Sequence, residues 1–415
     1  MLEQLAHVGR DPATNGYIRD AWSHADLELR EWFAGEAARR GLDLREDRNG
    51  NLWAWWGDPS HRPGVVTGSH LDSVRQGGAF DGPLGVVSAF AALDLLKERG
   101  FQPVTPLGVA CFTDEEGARF GVPCVGSRLL TGALAPERAL ALTDDDGDTL
   151  AEVMTRAGRE PRLIGRDDET LATVGTFVEL HVEQGRALHG PVGVASAIWP
   201  HGRWRFDFLG QANHAGTTRL GDRDDPMLPF ARMVLEARAA AARYGVVATV
   251  GKVRVSPGNA NAVPGQVSAW LDARGANERD VRELVAELTD HAAGAADDVA
   301  LRGGIENGGG VAARGGAAGS GVDVSEESWT PVVDFDAALR DRLAALVGDG
   351  DTPAQILPTG AGHDAGILAT AGIPSAMLFV RNPTGVSHSP EEHAEQADCE
   401  SGVVALANVL EDLCR

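Results

Sequence analysis

The stretch GSHLDSVRQGGAFDGPLG, from Gly68 to Gly85, sets one histidine, two aspartates and five glycines between an apolar run and a helix. Val65 and Val66 ahead of it read as the end of a buried strand. Behind it Leu84, Val87, Phe90, Ala91 and Leu95 recur at helical spacing, and Gly100 supplies a stop. The loop therefore leaves a strand and enters a helix. His70 and Asp81 stand where open α/β sheets keep their chemistry, outside the carboxyl ends of the strands.

Outward from this loop the same alternation recurs. A helix is expected from about Ser23 to Arg40, then two extended runs, GLDLRED and LWAWWG, joined as a hairpin around Asn49-Gly50. Val104–Phe112, Thr176–Val182 and Ser375–Val380 read as further strands. Between the last two the character changes. Arg203–Phe208 alternates strictly, with Trp204, Phe206 and Phe208 on one face and charges on the other, so one face of that strand is wet. A helix from about Pro226 to Arg243, strands near Val246–Val255 and Gln266–Arg274, a helix from Glu278 to about Ala293 and a closing strand near Val322 complete an open sheet with helices on one face. This reads as a small inserted domain. The Gly/Ala-rich stretch Gly303–Gly321 reads as a floppy loop inside it.

Composition limits the possible partners. The chain has 415 residues, of which 43% are apolar, enough for two or three domains with real cores. A formal charge of −23 and the lack of a Lys/Arg run argue against nucleic acid and anionic membranes as partners. The N-terminus has no basic segment followed by an apolar one, and no stretch is apolar for long enough to span a bilayer, so a cytoplasmic protein is expected. Cys111, Cys124, Cys399 and Cys414 form no CxxC pair, and Cys111 reads as a core residue.

The polar residues at strand ends form a pattern. CFTDEEGARFG puts Glu115 and Glu116 just after a strand, ELHVEQG puts His181 at the end of one, and RNPTGVSHSPEEH puts His388 after the last. If the strands are parallel, these residues gather with His70 and Asp81 on one rim of the sheet. Imidazole plus carboxylate suits Zn²⁺, Mn²⁺, Co²⁺ or Ni²⁺. Five such ligands suffice for two ions if one carboxylate bridges, and adjacent glutamates on a tight loop let one bind while the other stands free as a base. Taken singly, each residue has a plainer reading. A histidine at a strand end can be a capping residue, Asp81 beside Gly82 a turn former, and the two glutamates helix N-terminal charges. His189, His201, His291 and His393 have nothing in their surroundings to separate them from solvated histidines.

The segments GSHLDSVRQGGAFDGPLG, TDEEGARFG, ELHVEQG, GQANHAGTT, NANAVPG, TGAGHDA and GVSHSPEEH, in this order, resemble the hydantoinase/carbamoylase subfamily of the M20 metallopeptidase-like amidohydrolases. That group comprises N-carbamoyl-L-amino-acid hydrolases, allantoate amidohydrolases and β-ureidopropionases. The resemblance implies a two-domain α/β protein. A catalytic domain with a mixed, largely parallel sheet would span 1–198 and 329–415, and an inserted α+β open-sandwich lid and dimerisation domain 199–328. It implies two divalent ions per chain, with His70 and His181 on one, Glu116 and His388 on the other, Asp81 bridging and Glu115 as general acid/base. A carboxylate is expected at the position of His181 in the peptidases of the wider group, so this chain looks like a carbamoylase there.

Gln184 would contact the ureido group, and His214, Asn261 and Arg274 would hold a small ureido-carboxylate substrate. Their chemistry fits, since Arg274 can pair with a carboxylate in bidentate fashion and His214 with Asn261 can donate to an oxyanion. An exposed salt bridge for Arg274 and a turn for Asn261 are the plainer alternatives. Pro83 departs from the alanine expected in the family, and proline is tolerated in a first helical turn. A homodimer through the inserted domain is implied. An aminoacylase or dipeptidase on the same fold, and a non-catalytic small-molecule binding protein, are the competing functions.

Overall fold

The computed structural model describes residues 1–302 and 321–415, so the expected loop at 303–321 lies, up to residue 320, outside the described residues. The helix His24–Arg39 starts on Ser23, whose hydroxyl accepts the Asp26 N–H at 3.3 Å. Strands β1 (Asp43–Glu46) and β2 (Leu52–Trp56) form the hairpin. Its connection starts at Asp47, which the sequence pattern places in the first strand. The Asp47 carboxylate accepts the N–H groups of Asn49 and Asn51 at 2.9 Å each, so the turn spans residues 47–51. Then come β3 (Gly64–His70), β4 (Leu107–Phe112), β5 (Val174–Val182) and β6 (Val192–Ile198). β4 starts later than the apolar run suggests, because the N–H groups of Val104 and Thr105 donate to the Cys414 carbonyl and Pro106 has none to give.

The chain next builds β7 (His201–Leu209), β8 (Asn213–His214), β9 (Val247–Ser256), β10 (Ala262–Val263), β11 (Gln266–Arg274) and β12 (Gly321–Thr330). It returns through β13 (Val333–Asp334), β14 (Gln355–Thr359) and β15 (Ser375–Val380). Two compact units result, Met1–Ile198 with Val333–Arg415 and, separately, Trp199–Val332. The junction expected at residue 328 falls inside β12, whose pairing with β7 continues to Thr330, so the inserted unit runs slightly further than the sequence suggests.

In the first unit nine strands form one mixed sheet in the order β1-β2-β4-β3-β5-β15-β6-β13, with β14 also on β6. The central strands β4, β3, β5 and β15 are parallel, so their carboxyl ends share one rim. β3 and β4 are buried along their whole length, as expected for parallel strands covered on both faces. The helix Pro83–Glu98 carries Pro83 in its first turn and buries Leu84, Phe90, Leu93 and Leu96. β6 and β14 were not foreseen from the sequence.

Among the described residues the second unit has a four-stranded antiparallel sheet, β12-β7-β11-β9, and the short pair β8-β10. Trp204, Phe206 and Phe208 of β7 are buried with Met233 and Ala237 of the helix Met227–Tyr244 and with Leu284 and Leu288 of the helix Glu278–Arg302. Among the described residues, no helix is long and apolar enough to cross a membrane.

Candidate metal centre

His70 ends β3 and His181 lies one residue from the end of β5, so the parallel register stacks their rings with centroids 5.9 Å apart. Each ring is oriented through Nδ1, which lies 3.1 Å from the Asp72 carbonyl in His70 and 2.9 Å from the Val182 carbonyl in His181. A carbonyl only accepts, so Nδ1 carries a proton and Nε2 is the atom left to bind. Both Nε2 atoms are buried without a hydrogen-bond partner. They converge on Asp81, whose Oδ1 lies 3.6 Å from His70 Nε2 and 3.1 Å, outside hydrogen-bonding geometry, from His181 Nε2. Two orphaned imidazole nitrogens facing one carboxylate oxygen are a donor set that fits a divalent cation.

The other oxygen of Asp81 faces a second group. His388 Nε2 is 3.5 Å from Asp81 Oδ2 and 3.5 Å from Glu116 Oε2. In each trio, His70, Asp81, His181 and Asp81, Glu116, His388, the ligand atoms lie within 4.8 Å of one another. Glu115 belongs to neither. Its Oε2 is 3.7 Å from His70 Nε2, and its Oε1 accepts from the Cys124 thiol at 3.3 Å. Gln184 Nε2 donates to Asp81 Oδ2 at 2.8 Å, while Gln184 Oε1 is buried without a partner.

Burial sets the charges of this cluster. It pushes the Glu115 carboxyl well above the usual carboxylate range, with Asp364, Glu116 and Asp72 adding to the effect and His70 opposing it. It pushes Glu116 up to about 8, helped by the neighbouring Asp81. Burial works against a charged His70, but Glu115, Asp72 and Asp81 outweigh it and hold that imidazole well above its ordinary value. Asp81 is held well below its ordinary value, because His181 and His70 more than offset burial.

Several site residues escaped the sequence reading. The Asp72 carboxylate accepts the backbone N–H of Glu115 at 3.2 Å and of Glu116 at 3.0 Å, tying the His70 loop to the two glutamates. Its position two residues after His70 is the one clue the sequence offers. Glu179, His181 and His363 form a third trio, with the His363 ring centroid 4.6 Å from that of His181. Glu179 is already engaged, accepting from Ser69 Oγ at 2.8 Å and Ala365 N–H at 3.1 Å, so it braces β5 against its neighbours. The fourth trio, Glu236, Glu287 and His291, lies on the two helices of the second unit, where Glu287 already binds Arg243 and Tyr244.

The remaining expected residues lie in the second unit. His214 and Asn261 are brought together by pairing of β8 with β10, and the Ala215 N–H donates to the Asn261 carbonyl at 3.0 Å. His214 Nδ1 accepts from the N–H groups of Gly216 and Thr217 at 3.0 and 3.2 Å, which puts the proton of the neutral ring on Nε2 and makes that atom a donor. Arg274 forms a two-point pair with Asp272 on its own strand, Nε to Oδ1 at 2.6 Å and Nη2 to Oδ2 at 2.9 Å.

Residues 66–412 match peptidase family M20/M25/M40. The chain belongs to that family. It is 35% identical to the N-carbamoyl-L-amino acid amidohydrolase of Geobacillus stearothermophilus, over 100% of this chain and 97% of the relative. It is 30% identical to the allantoate amidohydrolase of Escherichia coli strain K12, over 99% of this chain and 96% of the relative. A hydantoinase/carbamoylase family amidase from Burkholderia vietnamiensis matches in structure with a TM-score of 0.86 at 28% identity, over 100% of this chain and 96% of that one. M20 hydrolases are metal-dependent, and this M20 chain carries its ligand trios on the rim where its parallel strands end.

Proposed function

We propose that this M20 hydrolase cleaves a ureido C–N bond in a small carboxylic acid, an N-carbamoyl-L-amino acid or allantoate, releasing ammonia and CO₂. One observation carries the reading. Asp81 turns its two oxygens to two imidazole-containing trios, and Glu115 stands beside them outside both. The full-length likeness to an N-carbamoyl-L-amino acid amidohydrolase and to an allantoate amidohydrolase supports the choice of substrate class.

In this reading His70 and His181 hold one divalent ion, Glu116 and His388 hold another, and Asp81 touches both. Zinc, manganese, cobalt and nickel all suit the donor set. Such ions, when bound, supply Lewis-acid polarisation and make water more acidic. Glu115 takes a proton from the attacking water and returns it to the departing nitrogen. The orphaned Oε1 of Gln184 accepts a ureido N–H. The Nε2–H of His214 and the amide of Asn261 donate to the oxygen on which negative charge develops, and Arg274 pairs with the substrate carboxylate.

The test is a substrate panel on metal-reconstituted protein with ammonia detection. Ammonia from N-carbamoyl amino acids or allantoate is expected. Faster cleavage of N-acetyl amino acids or dipeptides would transfer the reading to an aminoacylase or dipeptidase, and no turnover by fully metallated protein would leave a binding protein. A homodimer through the second unit is also proposed. Among the described residues β9 bonds only to β11 within the sheet, and Leu228, Leu235 and Val247 are exposed in the same unit. Sedimentation showing a monomer at working concentration would overturn it.

A further inference from the structure

Glu392 follows His388 in the loop after β15 and is buried. Its Oε2 accepts the backbone N–H of Phe80 at 2.9 Å and of Asp81 at 3.0 Å. The Ser387 hydroxyl lies 3.3 Å from Glu392 Oε1 and also 3.3 Å from Asp81 Oδ2, so it touches both carboxylates. The fit is close. A Cβ at Gly78 would come within 2.3 Å of Glu392 Oε2 and 2.4 Å of its Cβ, so only glycine admits this side chain. The Phe80 ring also meets the His393 ring edge-on, with centroids 6.2 Å apart.

We infer that Glu392 is a positioning residue that fastens the Asp81 loop to the His388 loop and thereby sets the spacing of the ligands they carry. A carboxylate oxygen accepting two N–H groups makes charge-assisted bonds, stronger than neutral ones. Both loops lack regular secondary structure at these positions, so side-chain contacts such as these must hold their backbones. Asp72 treats the N–H groups of Glu115 and Glu116 in the same way, so the ligand loops are held by buried carboxylates from elsewhere in the chain. The inference rests on the metal assignment proposed above.

Cobalt(II) titration of the metal-stripped full chain, followed by visible absorption and elemental analysis, tests it without reference to turnover. Loss of a group that orients metal ligands lowers affinity roughly 10–100-fold. Glu392→Ala and Glu392→Asp are both expected to fall in that range, because aspartate keeps the charge but stops short of the two N–H groups. Glu392→Gln keeps an acceptor oxygen at full reach but not the charge, so it should lose less cobalt affinity than either of them. If Glu392→Ala does not fold, the Asp and Gln variants carry the comparison. Aspartate matching wild type while glutamine weakens binding would mean that charge alone matters, and would overturn the inference. Equal affinity in all the variants would overturn it too. A wild type that takes up no cobalt would overturn the metal reading itself, a result distinct from wild-type binding with unaffected variants.

Discussion

Glu115 and Glu116 are chain neighbours whose carboxylates meet different groups. Glu116 faces His388 at 3.5 Å, whereas Glu115 lies between His70 and the Cys124 thiol. Glu115→Gln should therefore keep metal content near wild type while kcat falls by a factor on the order of 10²–10⁴, the usual range for lost acid/base help. Loss of metal in that variant, seen by elemental analysis, would show that the two roles are reversed. Arg274 is held in plane by Asp272 through two bonds. A guanidinium fixed in this way binds a carboxylate by shape as well as charge, so Arg274→Lys should be nearly as harmful as Arg274→Ala. Each should lower kcat/KM for an N-carbamoyl amino acid by a factor on the order of 30 or more. A lysine variant with near-normal kcat/KM would remove the carboxylate clamp.

At the scale of elements, the centre depends on how closely β3 approaches β4. Gly68 has φ of 145°, and a Cβ there would lie 1.9 Å from the Ala110 carbonyl oxygen, which is backbone and cannot turn aside. Gly68→Ala should destabilise the fold by roughly 3 kcal/mol or more, with the denaturant midpoint as the readout. Gly35, inside the helix His24–Arg39, is the opposite case, since nothing lies within 4 Å of its added Cβ. Gly35→Ala should raise stability by roughly 0.5–1 kcal/mol. If both substitutions shifted the midpoint alike, the close approach of β3 and β4 would not be what requires glycine.

For the whole molecule, the shared position of Asp81 predicts how metal loss is distributed. The Asp81 side chain is 6% exposed and that of His388 49%. Asp81→Ala should lower occupancy of both sites, and His388→Ala should deplete mainly one. One ion per chain in fully active wild type would refute the two-ion reading. Removing metal should also lower Tm, because ions bound only to the folded state stabilise it by mass action. Unchanged Tm after chelation, with the loss of metal verified, would count against a centre built on these ligands.

Local features were legible in the sequence because their causes are local. The alternation of Arg203–Phe208 gave a strand with one wet face, and Ser23 and Pro83 marked helix starts that the structure keeps. The five expected ligands could be singled out because each lies at or beyond a strand end, and parallel strands send their ends to one rim. The tertiary structure decided everything that depends on distant partners. β6 becomes a strand by pairing with β15 and β14, and β14 by pairing with β6, rather than through a pattern of their own. That the Nε2 atoms of His70 and His181 meet the same oxygen of Asp81 depends on the register of β3 against β5. Glu392 reads as one of two acids in SPEEH, and only backbone 311 and 312 residues away gives it two N–H groups to accept. Periodicity and capping act over a few residues and are written in the chain locally, whereas the bracing of a buried site comes from contacts that exist only once distant segments have packed together.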